Sequence, residues 1–479
     1  MPIDPIKAID ADRLNLNRSQ VAPAAPIAIN RESQLLVDDH LVARRESLFR
    51  RLNRPTKRPG PILSPETPEE GIGLYYGSVL EEEDSSDLRL YYISGHSYGT
   101  ISFEQFRAER GHSTSPMFLA RSTDGVTFSR EPVAGSVFPG THIVADENMD
   151  CLNVLHDPQD PDPSRRYKLL ASKDNWPRGL TPATSPDGIH WTWGEDNAVA
   201  WFGDRCAYWY DPIRRTHVAW SRDYHVLPQR VIAQCETSDF GDWGNLRENH
   251  PRVVLQADRL DHPSVEFYGG YAFWYRSVYL AYLEVYHMQQ QRIDTQLCCS
   301  RDGRRWTRLC DRETFIPNGE HGEWDAYWVV PTFNPPILRD GELLIHTNGR
   351  PDPHPQPGFS ASAPGFGGAF GLTTLREDGF VSLDATGRVG LLVTHPLTAE
   401  PGCRTLAINC CQFATRPGME PMSAVVSLHA PDGEAIGVWE LSYEPDRVWY
   451  AVELAATPPA GFHLEFRLQN CRLYSFKLS

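Results

Sequence analysis

One short phrase, an aspartate and a glycine followed by an aromatic or apolar residue, recurs five times along a chain of 479 residues. It reads "ARSTDGVTFSR" at 120–130, "TSPDGIHWTW" at 184–193, "ETSDFGDWG" at 236–244, "CSRDGRRWTR" at 299–308 and "LREDGF" at 375–380. An alternating or apolar stretch precedes each copy, as "DTQLCC" precedes Asp302-Gly303. Asp-Gly between two strand-like runs is a strong short-range hairpin signal, because glycine takes positive φ without a Cβ clash and aspartate accepts backbone N–H groups within the turn. Asp124, Asp187, Asp239, Asp302 and Asp378 therefore read as turn formers, not catalysts. The aromatic after each glycine is expected to pack back on its own sheet.

The spacing sets the architecture. Successive aspartates stand 63, 52, 63 and 76 residues apart, which suits one four-stranded antiparallel sheet plus loops, the unit of a β-propeller. Runs such as "GLYYGSVLEEE", "RYKLLAS", "THVAWSR" and "ELLIHTN" are strand-like, and helical periodicity is weak throughout. Five phrases predict five blades, at about 71–132, 142–193, 204–243, 253–308 and 313–380, with "SQLLVDDHLV" at 33–42 helping to close the ring. Beyond 386 the strands alternate without the phrase, as in "MSAVVSLHAPDGEAI" and "FHLEFRLQNCRLYSFKLS". The expected organisation is all-β: an N-terminal arm over 1–30, a five-bladed β-propeller over 31–385 and a small C-terminal β-sandwich over 386–479.

Composition narrows the partners. A net charge of −16 repels nucleic acid and anionic membranes, and no apolar run approaches a membrane span or the core of a signal peptide. The ten cysteines show no CxxC spacing and no disulfide-rich density, so neither a metal nor a redox cofactor is expected. Reduced thiols in a cytoplasmic protein fit this pattern. Titration under denaturing conditions would then find every thiol free.

A five-bladed propeller followed by a β-sandwich resembles glycoside hydrolase family 32 and the wider clan that includes families 43, 62 and 68. More closely, "LLVDDHLV", "RPGPIL", "DPQDPDPSRRYK", "SRDGRRWTR" and the terminal "FRLQNCRLYSFKLS" resemble a bacterial group with a family-32-like N-terminal domain. The resemblance spans roughly 33–479 and implies glycosidase chemistry on a carbohydrate substrate. The "WMNDPNG", "RDP" and "EC" elements of the fructosidases are missing, so fructan specificity does not carry over.

Glycoside hydrolysis needs two carboxyl groups flanking the bond, one to protonate the leaving oxygen and one to attack carbon or activate water. In a propeller such groups belong where the inner strand of each blade begins. Blade one offers Glu70 beside Glu69, blade two Asp150, and blade three Asp204 with Arg205. Blade four offers Glu266 in the tyrosine-rich "DHPSVEFYGGYAFWYRSVYLAYLEVYH", where Tyr268, Trp274 and Tyr275 are candidate sugar platforms. Blade five offers Asp325, with Glu323 on the same face by alternation, and Trp328; His354 is a candidate hydroxyl ligand. Three readings follow: a glycosidase using Asp325, Glu266, Asp150, Asp204 and Glu70, a non-catalytic carbohydrate-binding propeller, or a lyase or phosphorylase. A lyase would pair a Tyr or His base with an arginine such as Arg205 or Arg276, whereas a phosphorylase would gather Arg, Lys or His around phosphate.

Overall fold

The computed structural model describes residues 17–19 and 23–479 apart from 83–84, 96–102, 174–178, 197, 201–202, 204, 224–228, 245–250, 355–366 and 415–419. Five antiparallel blades succeed one another around an axis, each starting from an inner strand: Gly73–Glu81, Met149–His156, Cys206–Asp211, Val265–Tyr275 and Trp328–Pro331. Blades four and five are joined into one sheet by a parallel pairing of Ile293 with Trp328. One eight-residue α-helix, Phe103–Arg110, interrupts blade one.

Polar side chains join the inner strands at the centre. Asn153 of blade two is fully buried; its amide donates to Ser78 Oγ of blade one at 2.9 Å and to the Phe333 carbonyl of blade five at 3.1 Å. Its Oδ1 accepts the Tyr208 N–H of blade three at 2.5 Å. One asparagine thus ties four blades, and every polar atom it buries has a partner, as a low-dielectric centre requires. Asn334 Oδ1 accepts the Val79 N–H at 2.9 Å across the seam between blades five and one.

The ring closes differently from expectation. Thr56–Lys57 adds the outermost strand of blade five, antiparallel to Thr373 and Thr374. Residues 33–42 instead serve the sandwich, where Gln34–Leu35 pairs with Cys471–Leu478. The outer strands of blades one and three, Ile143–Ala145 and Arg252–Leu255, also lie beyond the boundaries that the phrase suggested, because about ten or more residues separate each turn from its outer strand. The C-terminal strands form two facing sheets around Leu392, Ile408, Val426, Phe466 and Phe476. Both sheets borrow strands that precede the propeller: Val42–Glu46 pairs with Gly390–Thr394, and Phe49–Leu52 with Val381–Ala385. Of the arm expected over 1–30, Asn17–Ser19 and Ile27–Ile29 are strands, and 1–16 and 20–22 lie outside the described residues.

All five phrases follow the third strand of a blade. In three of them the aspartate Oδ1 accepts two successive N–H groups: Val126 and Thr127 for Asp124, Ile189 and His190 for Asp187, and Arg304 and Arg305 for Asp302, all between 2.7 and 2.9 Å. The glycines behind them take φ of +74°, +76° and +68°. The fourth copy varies the theme, with Asp239 accepting the Gly241 N–H at 2.9 Å. Asp378 is buried and receives Tyr275 Oη and Ser475 Oγ, so the fifth copy links propeller and sandwich.

The turns also clasp neighbouring blades. Gly125 O accepts His346 Nε2 of blade five at 2.8 Å, and Asp187 O accepts Arg89 Nη1 of blade one at 2.6 Å. The aromatics expected to fold onto their own sheets reach the preceding blade instead: Phe128 meets His346, Trp191 meets Tyr91, Trp306 meets Trp220 and Phe380 meets Tyr275, with ring centroids 5.0–6.4 Å apart. Trp243 of blade three packs on Tyr208 of its own sheet, and Trp306 of blade four also meets Tyr279 of its own sheet at 6.5 Å. Propeller sheets bury both faces against neighbours, so an aromatic returning from the turn finds its apolar partner across the gap.

Candidate active site at the mouth of the funnel

The inner strands begin at the end of the ring opposite the Asp-Gly turns, because second strands run back and third strands run forward again. At this mouth three inner strands slip register. The shifts fall between Tyr75 and Gly77, between Met149 and Cys151, and between Phe267 and Gly269. The extra residues are Tyr76, Asp150 and Tyr268, and Tyr76 adopts φ of +35°. A bulge re-aims one side chain without disturbing the rest of the strand. Here three bulges converge at the axis.

Arg205 forms the floor. Its guanidinium lies 4.1 Å from the ring centroids of both Tyr76 and Phe333 and is paired with Glu284, with Nε 2.9 Å from Glu284 Oε2. Both partners of this pair are about 2% exposed. A buried guanidinium already matched by a carboxylate and two rings serves as structure, and it is not free to neutralise a substrate. Arg276, the other cation considered for a lyase, pairs with Glu32 and Glu377 at the opposite end of blade four.

Above that floor stands an aromatic cluster. Tyr268 meets Trp328 at 5.0 Å and Tyr286 at 5.9 Å, and Trp328 meets Tyr76 at 6.0 Å, all edge to face. The His354 ring lies 5.0 Å from Tyr268, and its Nε2 is 2.9 Å from the Tyr268 hydroxyl. Arginines supply the remaining wall. Arg222 stacks on Tyr268 at 4.1 Å, Arg230 lies 5.4 Å from Tyr286, and Arg350 lies 5.1 Å from Trp328.

Among the described residues, Glu266, Asp150 and Asp352 add carboxylates to this region besides Glu284. Glu266 pairs with Arg230 at 2.5 Å. Asp150 is half-buried and lies near enough to Tyr76 to help raise its phenol, after burial and Tyr268. Asp352, beyond the second strand of blade five, interacts with Tyr75 and Arg350. Its Oδ2 is buried and accepts no hydrogen bond among the described residues, and burial pushes its carboxyl above the usual range despite Arg350.

The other sequence candidates stand elsewhere. Glu70 is fully buried and saturated: it accepts Tyr92 Oη at 2.6 Å, Arg130 Nε at 2.7 Å, and the N–H groups of Glu66 and Thr67. Asp325 is turned along its own sheet, with Oδ2 2.6 Å from Lys57 Nζ. Residues 321–327 form turns, so strand alternation does not apply; Glu323 is exposed and caps the Glu320 N–H, and its Oε2 and Asp325 Oδ1 both flank Gly319. Trp274 and Tyr275 lie at the far end of the eleven-residue strand Val265–Tyr275, roughly 26–30 Å from Glu266 at about 3.3 Å per residue. Trp274 packs on Tyr279 there. Asp204 lies outside the described residues.

Asp352, Arg222, Arg230 and Arg350 were not legible as site residues, because they sit at the ends of second and third strands that share the same mouth and not where inner strands begin. The signal for Tyr76 was in the open. "GLYYGSV" breaks strict alternation with two adjacent tyrosines before a glycine.

Among the described residues, no group of three or more His, Cys, Asp or Glu side chains is arranged to hold a metal ion. No helix among them is long and apolar enough to cross a membrane. None of the ten cysteines forms a disulfide.

No family model matches the chain, and no curated protein does. Solved structures similar to it include an N-acetylgalactosamine deacetylase from F. plautii, at 12% identity over 69% of this chain and 96% of that one, with a TM-score of 0.45. A thermostable family-43 glycoside hydrolase matches at 12% over 69% and 96%, with a TM-score of 0.44. A β-1,2-mannobiose phosphorylase from Listeria innocua matches at 13% over 68% and 98%, with a TM-score of 0.45. Deacetylation, glycoside hydrolysis and phosphorolysis are the activities of those proteins, and the chemistry of this one is read from its own mouth.

Proposed function

We propose that this protein is a carbohydrate-active enzyme that cleaves a glycosidic bond of an oligosaccharide or small glycoside at the mouth of its propeller. The observation that carries the reading is the contrast between carboxylates gathered beside aromatic faces. Glu266 is matched by the Arg230 guanidinium, whereas Asp352 has an oxygen buried without a hydrogen bond and a carboxyl held toward its protonated form. A carboxyl held toward its protonated form beside a carboxylate paired with a guanidinium can divide the roles of acid and nucleophile or base. In this reading Asp352 donates the proton, and Asp150 or Glu266 acts on the sugar carbon or on water. Half-buried Tyr76 offers aromatic surface to an apolar sugar face with the buried Tyr268 and Trp328 packed behind it, and His354 and Tyr268 offer hydrogen bonds to hydroxyls. Asp204 remains a candidate from sequence.

Screening the purified chain against aryl glycosides and oligosaccharides tests the reading. Asp352→Asn, Asp150→Asn and Glu266→Gln are each expected to lower turnover, with at least one falling a hundredfold or more while the melting temperature holds. Full activity in all three variants would overturn it. A phosphorolytic form of the same cleavage draws on the gathering of Arg222, Arg350 and His354 around the aromatic cluster. Turnover that requires inorganic phosphate would select it over hydrolysis.

A further inference from the structure

A second cleft, about 670 Å³ in volume, lies on the far side of the propeller from the mouth, where the sandwich meets blade four. Its floor is Asp384, whose side chain is 2% exposed. Asp384 is central in its sheet, opposite Phe49 on one side and Arg472 on the other. Arg51 Nε stands 2.8 Å from Asp384 Oδ2 and Arg472 Nε 3.7 Å from it, while Ser382 Oγ donates to Oδ1 at 2.6 Å. One carboxylate therefore faces two guanidinium groups. The Arg472 Nε–H is buried and has no hydrogen-bond acceptor among the described residues.

The guanidinium groups are also held in place. Arg51 and Arg472 lie 5.6 and 5.1 Å from the centroid of the Phe413 ring, which restrains planar cations at little entropic cost. Arg54 adds a third guanidinium at the rim, donating Nε to the Thr314 carbonyl at 3.1 Å. A fourth lining arginine, Arg50, is paired with Asp39, and against the other three the lining provides Asp384 and Glu313. The cleft is thus locally cationic on a chain whose net charge is −16, and a buried cationic N–H without an acceptor is costly until a ligand supplies one.

We propose that this cleft is an oxyanion-binding site that takes the carboxylate or phosphate group of a small ligand on Arg51, Arg54 and Arg472. Guanidinium forks match the oxygen spacing of both groups. The site is independent of the chemistry assigned to the mouth.

Calorimetric titration of the full chain at low ionic strength with inorganic phosphate, with D-galacturonate and with D-galactose tests it. At least one oxyanion should bind, galactose should not, and the better ligand identifies the group. Added sodium chloride should weaken the binding. Arg51→Gln and Arg54→Gln should each weaken it fivefold or more. Arg54 is exposed and outside the buried ion pair, so its substitution leaves a folded protein with which to judge the site. Arg350→Gln at the mouth should leave the binding unchanged, which keeps this site distinct from any phosphate held there. Failure of both oxyanions to bind, or binding that survives both arginine substitutions, would overturn the proposal.

Discussion

Replacing Glu70 by glutamine tests whether this carboxylate is a structural anion. Burial alone would push its carboxyl up, but the His142 ring 3.7 Å away, the Tyr92 hydroxyl, the Arg130 guanidinium and backbone N–H groups outweigh that and hold it at about 2. The ordinary value is 4.5. A carboxyl depressed in the folded state stabilises the protein above its unfolded value, and that stability disappears as pH falls toward the folded value. The gap between 4.5 and about 2 corresponds to roughly 3 kcal/mol at neutral pH, of which about 2 kcal/mol is lost by pH 3. Glu70→Gln should therefore destabilise the chain by a few kcal/mol at pH 7. It should also flatten the acid limb, so that the parent loses about 2 kcal/mol more than the variant between pH 7 and pH 3. Urea unfolding at both pH values measures the two quantities. Turnover per folded molecule should persist, because Glu70 faces Tyr92 and Arg130 instead of the mouth. Parallel acid limbs in the two proteins, or a variant as stable as the parent at pH 7, would refute the reasoning.

Gly188→Ala should lower the melting temperature by several degrees more than Gly140→Ala. Both glycines have positive φ, but an added Cβ at Gly188 would come 2.2 Å from Tyr91 Oη of the neighbouring blade, whereas Gly140 has open space. The difference isolates interblade overpacking, worth about 1–3 kcal/mol; equal shifts would show that the turns do not clasp neighbouring blades. Arg205→Met should cost about 3–5 kcal/mol by leaving Glu284 buried without its cation, and adding Glu284→Leu should recover part of that loss in urea unfolding. A double variant less stable than the single one would contradict the pairing.

The repeated phrase was informative because a turn is local chemistry. An aspartate that accepts the next N–H groups and a glycine at positive φ require nothing from the rest of the chain, so Asp124, Asp187 and Asp302 were legible as turn formers. Repetition of that unit at blade-sized intervals carried the count of blades. Strand alternation likewise exposed the sandwich, whose faces bury every second residue along Ser423–His429.

Where a side chain points across the ring was not local. Glu70 and Asp150 looked alike as acids close to inner strands, yet the 3-10 turn Pro68–Glu70 carries one into Tyr92 and Arg130, and a bulge carries the other toward the axis. Asp325 was placed by Lys57, 268 residues earlier, because the outermost strand of blade five comes from the start of the chain. The cluster of Tyr76, Tyr268, Trp328 and His354 draws on three blades, and Arg205 is neutralised by Glu284 of another. The sequence by itself determined the repeating sheet, its turns and the number of repeats, since each is a matter of nearest neighbours along the chain. Only the tertiary structure decided which charges meet, because ring closure and single-residue bulges set those distances between residues far apart in sequence.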